Sequence, residues 1–179
     1  MPGWHAATKK YRDRGQLQVV GVIQEQHPER CRLFARKEGV KVYDIDSGIG
    51  THVTLEAGLV TPGCTMVSTD SHANIMGAVG AFGQGMGDVD IAHAFALGKV
   101  WFKVPPTLRI LVEGKRPAGV SAKDITLAVL SETGASGLLG YAAEIYGEAV
   151  EGMNLAERIT LASMATEMAG IIILFTPND

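Results

Sequence analysis

The chain has 179 residues, 46% of them hydrophobic, and a formal net charge of −3. This length allows a sizeable core in one domain, or in one domain and part of another. Its basic residues are scattered, no stretch reaches the ~20 apolar residues of a membrane span, and the polar first residues do not form a signal peptide. Its two cysteines lack the CxxC spacing of a zinc site. We therefore expect a cytoplasmic protein without nucleic-acid or membrane partners.

In the first half of the chain, short apolar runs alternate with segments of helical spacing. Strands are predicted at 17–23, 40–45 and 65–68. Helices are predicted at 29–38 and at 89–98, the second capped by Asp88, with a helical turn at 51–55. The glycine-spaced tract 77–87 is expected to form helices and loops that pack tightly on a neighbour or a ligand.

The second half continues the alternation of strands and helices. Strands are predicted at 107–112, 142–146 and 171–175. Ser121 followed by Asp124 predicts a capped helix that runs to about residue 130, and Asn154 is predicted to cap a helix over 155–169. Strands that alternate with helices indicate an α/β fold with a parallel sheet.

One short motif carries most of the chemistry in the sequence. In Thr69-Asp70-Ser71-His72, an acid and an imidazole flank a hydroxyl, and Glu167 supplies a distant carboxylate. A carboxylate beside an imidazole fixes its tautomer and suits it to hold or donate a proton near neutral pH. Taken alone, the tripeptide Asp70-Ser71-His72 is also typical of a turn, and each glycine of the tract 77–87 has a purely structural alternative.

Several motifs occur together in a fixed order over residues 29–179. They include Gly48-Ile49-Gly50-Thr51-His52, the tract from Pro62 to His72, Phe82-Gly83-Gln84-Gly85-Met86-Gly87, the tract from Ala96 to Pro105, and the tract from Tyr141 to Ala149. In these motifs the chain resembles the aconitase superfamily. The nearest branch is the large subunit of 3-isopropylmalate and homoaconitate-type dehydratases.

The resemblance implies a three-layer α/β/α fold. Residues 29–104 would form the second part of one aconitase-like domain, and residues 105–179 would open the next domain. Residues 1–28 stay unassigned. The segments that carry the family's first histidine, its substrate-binding arginines and its swivelling domain with the serine base would lie outside this chain. A small (swivel-domain) subunit or a homo-oligomer is the expected protein partner.

The resemblance also implies a reaction and a set of site residues. Family members remove and re-add water on hydroxy-di- or tricarboxylates, so the expected activity is that of a hydro-lyase in amino-acid biosynthesis, with a small hydroxy-carboxylate as substrate. Two catalytic pairs map onto the chain, His52 with Asp70 and His72 with Glu167. The residues expected to bind substrate are Ser71, Asn74 and Ser163.

The family's cofactor is a 4Fe-4S cluster held by three cysteines. The resemblance places one of them at the position of Ala162 and the other two in a CxxC motif beyond Asp179. This chain alone is therefore expected not to bind the cluster, and no metal ligand is assigned within it. Three interpretations remain open: an incomplete or truncated large subunit, a repurposed member that binds small carboxylates or a partner without catalysis, and a hydratase that works without the cluster.

Overall fold

The computed structural model describes residues 20–22 and 28–177. Within these residues seven strands alternate with helices along the chain: β1 (Val20–Val22), β2 (Lys41–Tyr43), β3 (Thr65–Ser68), β4 (Phe82–Gly85), β5 (Thr107–Leu111), β6 (Ala142–Tyr146) and β7 (Ile172–Phe175). The α-helices are α1 (Pro28–Glu38), α2 (Gly50–Glu56), α3 (Asp88–Leu97), α4 (Ala122–Thr133), α5 (Glu148–Glu151) and α6 (Leu155–Ser163). Two 3₁₀ segments, Ser71–Val79 and Thr166–Met168, complete the list.

All strand pairs in the described part of the chain are parallel. They are β1 with β2, β3 with β4, and the three-stranded sheet β5-β6-β7. Parallel pairing needs crossover connections, which the helices supply. The predicted α/β class is therefore confirmed, whereas the three-layer arrangement stays a prediction. No helix among the described residues is long and apolar enough to cross a bilayer.

The described chain forms two compact units. Unit 1 contains the described residues up to Ala57 together with Gly87–Phe102, and unit 2 contains Gly58–Met86 and the residues from Lys103 onward. The predicted domain boundary near residue 104 concerns the larger proteins of the family and stays a prediction. The residues 1–19, 23–27 and 178–179, including most of the predicted strand 17–23, lie outside the described part.

Unit 2 holds the larger core. Helix α6 lies against β7 and against α4, and fully buried residues such as Leu138, Leu161 and Ile173 fill the interior. Arg158 is also buried: its Nε donates to the Met153 carbonyl and its Nη1 donates to the Thr176 carbonyl, each at 3.1 Å. These bonds tie α6 to the end of β7.

The two helix caps predicted in unit 2 are both present. Ser121 and Asp124 form a capping box at the start of α4, and Asn154 and Glu157 form another at the start of α6. The cap predicted at Asp88 is wrong, because Gly87 occupies the N-cap position of α3 and Asp88 is the first helical residue. The carboxylate in the first turn still interacts favourably with the positive end of the helix dipole.

The capping box of α4 provides a test of local stability. Ser121→Ala removes the acceptor of the Asp124 amide, and we expect unfolding free energy to fall by about 1 kcal/mol. Ser131→Ala, on the exposed surface of the same helix, is the matched control and should leave stability within about 0.5 kcal/mol. Urea unfolding of both variants measures the difference, and equal midpoints would contradict the capping role.

In unit 1, Arg32 on α1 makes a forked contact with Asp44. Its Nε and Nη2 donate to the two carboxylate oxygens at 2.9 and 2.8 Å, and its Nη1 donates to Glu29 at 2.6 Å. The Arg32 guanidinium lowers the pKa of Asp44 from 3.8 to about 2, with help from the Ile45 amide. The contact therefore joins α1 to the residue that follows β2.

This contact predicts a defined pH dependence. Because the pKa of Asp44 is lowered by folding, its contribution to stability is present above its ordinary pKa of 3.8 and is lost as pH falls toward about 2. In Arg32→Met, the pKa of Asp44 should return toward its ordinary value. An NMR titration of the Asp44 carboxyl carbon measures this change, and an unchanged titration curve would refute the pairing.

Candidate active site

The candidate site in unit 2 is built on the 3₁₀ helix Ser71–Val79, which begins just after β3. Asp70 caps this helix: its carboxylate accepts from the His72 amide at 2.9 Å, and its own amide donates to Ser68 Oγ at 2.9 Å. His72 has φ −90° and ψ 18°, off helical geometry, in a region where active-site residues are often found. The cap and this kink set the direction of the Ser71 and His72 side chains.

The glycine tract lets the 3₁₀ helix lie directly on its neighbours. A Cβ on Gly83 would lie 1.9 Å from the Ala73 carbonyl oxygen, and one on Gly77 would lie 2.0 Å from the Ile173 carbonyl oxygen. Gly83 belongs to β4, a strand that the sequence analysis did not predict. The close approach predicted for the tract is therefore present, and at these two positions the neighbour is backbone of the same chain.

His72 is held between two groups contributed by the end of α6 and the turn that follows. Its Nδ1 lies 3.1 Å from the Ser163 carbonyl oxygen, and its Nε2 lies 3.7 Å from Glu167 Oε1. The side chains of His72 and Glu167 are 42% and 51% exposed, so both can be reached by solutes. The structure thus brings together this predicted pair, whose catalytic role remains a prediction.

A second contact joins the same two segments. The Thr166 hydroxyl donates to the Ser71 carbonyl at 2.9 Å, and the Asn74 side-chain amide donates to Thr166 Oγ1 at 2.6 Å. Asn74 is only 3% exposed, and its Oδ1 has no hydrogen-bond partner among the residues that the structure describes. Sequence reasoning missed Thr166, because its importance depends on a contact across more than ninety residues of chain.

The other predicted site residues occupy different settings. Ser71 is exposed, and its contact with substrate stays a prediction. Ser163 donates its hydroxyl to the Thr160 carbonyl in its own helix and faces His72 with its main-chain carbonyl. His52 is exposed on α2 in unit 1, whereas Asp70 belongs to unit 2, and their predicted pairing stays a prediction.

Comparison with known proteins identifies the family. Residues 9–179 match the model of the aconitase family (aconitate hydratase). The chain is 42% identical to a probable 3-isopropylmalate dehydratase large subunit of Methanosarcina mazei over 78% of this chain and 33% of that protein. It is 40% identical to the 3-isopropylmalate dehydratase large subunit of Nitratidesulfovibrio vulgaris over 95% of this chain and 43% of that protein.

A probable methanogen homoaconitase large subunit of Methanosarcina mazei is 40% identical over 84% of this chain and 39% of its own length. The chain belongs to the aconitase family. It spans between a third and a little over two fifths of the length of these relatives. The family resemblance predicted from the sequence motifs is therefore confirmed.

Members of the aconitase family generally bind a 4Fe-4S cluster, but the donors in the described part of this chain do not fit one. Within that part, no three His, Cys, Asp or Glu side chains are grouped as metal ligands. Cys31 belongs to unit 1 and Cys64 to unit 2, where the Thr61 hydroxyl lowers the pKa of the Cys64 thiol. The described part of the chain therefore holds fewer ligands than a 4Fe-4S cluster usually has.

The position of Ala162 is that of a core residue. Ala162 is fully buried and belongs to the apolar cluster that surrounds Leu161 and Ile173. A cysteine sulfur at this position would be enclosed by hydrocarbon, whereas the neighbouring Ser163 is the residue that contacts His72. The assignment of a cluster ligand to the position of Ala162 stays a prediction.

Proposed function

We propose that this chain supplies part of the active site of a hydro-lyase that acts on hydroxy-di- or tricarboxylates. Membership of the aconitase family and relatives named 3-isopropylmalate dehydratase and homoaconitase large subunits support the class of reaction. The observation that carries the proposal is the placement of His72 between the Ser163 carbonyl and the Glu167 carboxylate, beside the exposed Ser71.

The surroundings of His72 give its two ring nitrogens different roles. Nδ1 faces a carbonyl oxygen, which can only accept, so Nδ1 carries a hydrogen. In the neutral ring, Nε2 then holds the lone pair, and in the charged ring its N–H points toward the side of Glu167. Nε2 is therefore the atom that exchanges a proton with a substrate.

The 3.7 Å between Nε2 and Glu167 Oε1 is too long for a direct hydrogen bond. A water molecule or a substrate hydroxyl fits between two such groups. During dehydration, the C–O bond breaks with its electron pair going to oxygen, and Nε2–H supplies the proton that completes the water molecule. Hydration reverses this transfer, with Nε2 taking the proton from water.

We further propose that Ser71 donates its hydroxyl to a substrate carboxylate, and that a small subunit completes the site. The resemblance assigns the base that removes the proton from carbon to that subunit. Asp70 positions Ser71 and His72 by capping the helix that carries them. His52 is proposed as a second proton-carrying group.

The test is a lyase assay on the full chain, with and without a co-expressed small subunit, on 3-isopropylmalate and related hydroxy acids. Ultraviolet absorbance of the unsaturated product measures turnover, and iron analysis of the same sample reports any cluster. Turnover that requires His72 would support the proposal. Stable complexes with the small subunit that neither bind nor convert any of these acids would overturn it.

A second candidate follows from the donors in the described residues, which do not fit a cluster. On this alternative, the chain is a repurposed member that binds small carboxylates or a partner subunit without catalysis. Saturable binding of a hydroxy acid, measured by calorimetry, without turnover in the same preparation would favour it.

A further inference from the structure

The hydrogen bonds around Thr166 fix the orientation of the buried Asn74 amide. The Ser71 carbonyl can only accept, so the single hydroxyl hydrogen of Thr166 is donated to it. Thr166 Oγ1 must then accept from Asn74, which places Nδ2 toward Thr166 and leaves Oδ1 as the unpartnered atom. The orphan is therefore an acceptor oxygen enclosed in the protein, at 3% exposure of the residue.

A buried acceptor without a partner reduces stability. An unsatisfied buried polar group costs about 1–3 kcal/mol, whereas replacing both members of a pair by apolar groups of similar shape can be neutral or stabilising. An apolar pair at positions 74 and 166 would remove the orphaned oxygen, and the Ser71 carbonyl, which would lose its donor, belongs to an exposed residue that water can reach. The stability of the folded chain therefore does not explain why these two positions are polar.

The pair connects the two segments that form the candidate site. Thr166 lies next to Glu167, and its hydroxyl holds the carbonyl of Ser71, which lies next to His72. Asn74 lies one turn further along the same 3₁₀ helix. Hydrogen bonds with fixed donors and acceptors set the register between the segments, which non-directional apolar contacts would not do.

We propose that Asn74 and Thr166 are positioning residues, which hold the His72 ring against the Ser163 carbonyl and Glu167 at a cost in stability. This inference rests on the proposed function of His72 as a proton carrier. It assigns Asn74 a role through Thr166 rather than the direct substrate contact predicted from the resemblance. Asn74 in this setting is covered, and one of its two amide hydrogens is donated to Thr166.

The test compares the double variant Asn74→Leu/Thr166→Val with the wild-type chain by two measurements. The thermal midpoint should be equal to or above that of the wild type, because the orphaned oxygen is removed and the Ser71 carbonyl, on an exposed residue, can bond to water instead. The ¹⁵N shifts of the His72 ring, recorded where the ring is neutral, should move from the Nδ1–H tautomer toward the Nε2–H tautomer that free histidine favours in water. We expect the tautomer ratio to change roughly fivefold or more, as for the loss of one hydrogen bond.

Two single variants serve as controls. Thr166→Ser keeps the hydroxyl and should retain the wild-type ring spectrum. Thr160→Val removes a hydroxyl that donates to the Ala156 carbonyl within α6, and should also leave the ring spectrum unchanged. A double variant that melts well below wild type with an unchanged His72 spectrum would overturn the inference and leave Asn74 and Thr166 as stabilising residues only.

The ring spectrum does not depend on turnover. If the double variant shifts the His72 tautomer but no lyase activity is found with any small subunit, the positioning role stands and the proposed function fails. If the enzyme turns over and the tautomer does not respond, the proposed function stands and the positioning role fails.

Discussion

Gly83→Ala is expected to destabilise unit 2 by about 3 kcal/mol or more, because a well-packed backbone cannot absorb the added methyl group. The new Cβ would lie 1.9 Å from the Ala73 carbonyl oxygen and 2.8 Å from the Met76 side chain. The methionine can move, but the carbonyl belongs to the 3₁₀ helix that carries His72. Relief of the overlap would require this helix to separate from β4. Urea unfolding followed by circular dichroism measures the loss.

Gly152→Ala provides the matched control. Gly152 ends α5 with φ −83°, which any residue adopts, and a Cβ there meets no described atom within 4 Å. Alanine should leave the free energy of unfolding unchanged or raise it by up to about 1 kcal/mol, since it restricts the unfolded chain. If Gly83→Ala proved as stable as Gly152→Ala, the direct contact between β4 and the 3₁₀ helix would be wrong.

The sequence predicted the features of the fold that depend on near neighbours. The capping boxes at Ser121 and Asn154 need only residues three positions apart, and both are present. The strands β3 and β6 were predicted with the bounds that the structure gives, because their apolar runs are flanked by turn residues. Alternation of such elements was enough to predict the α/β class.

The strand β4 could not be predicted from local preference. Two of its four residues are glycines, which are depleted in strands because they add no side-chain packing. Its pairing with β3 and the close approach of the 3₁₀ helix override that preference. The tract indicated a tight contact, but nothing local indicated that the contact was made by a strand.

The predicted helix 155–169 ends earlier in the structure than the sequence predicts. Tertiary structure rather than local sequence sets where it ends, and this end shapes the candidate site. The α-helix stops at Ser163, and a 3₁₀ turn over Thr166–Met168 ends at Ala169, which has a left-handed φ of 57°. Alanine favours continued helix, so the sequence gives little sign of this break. The break leaves the Ser163 carbonyl directed at His72 and places Glu167 beside the same ring.

His72→Gln is expected to lower the rate of the proposed dehydration by a factor on the order of 10²–10⁴, the usual contribution of a positioned general acid or base. Glutamine can still donate to the Ser163 carbonyl, but its amide cannot release and regain a proton near neutral pH. The loss should fall on kcat rather than KM, since proton transfer belongs to the transition state. Steady-state kinetics of the full chain with the proposed small subunit measure both constants.

His93→Gln is the control for this substitution. His93 is an exposed histidine on α3 in unit 1, and its replacement should leave kcat and KM within about twofold of wild type because surface changes of this kind have small effects. The half-exposed ring of His72 makes its replacement equally harmless to folding, so thermal midpoints of the two variants should agree. A His72→Gln enzyme with wild-type kcat would place the proton donor elsewhere, with His52 as the next residue to replace.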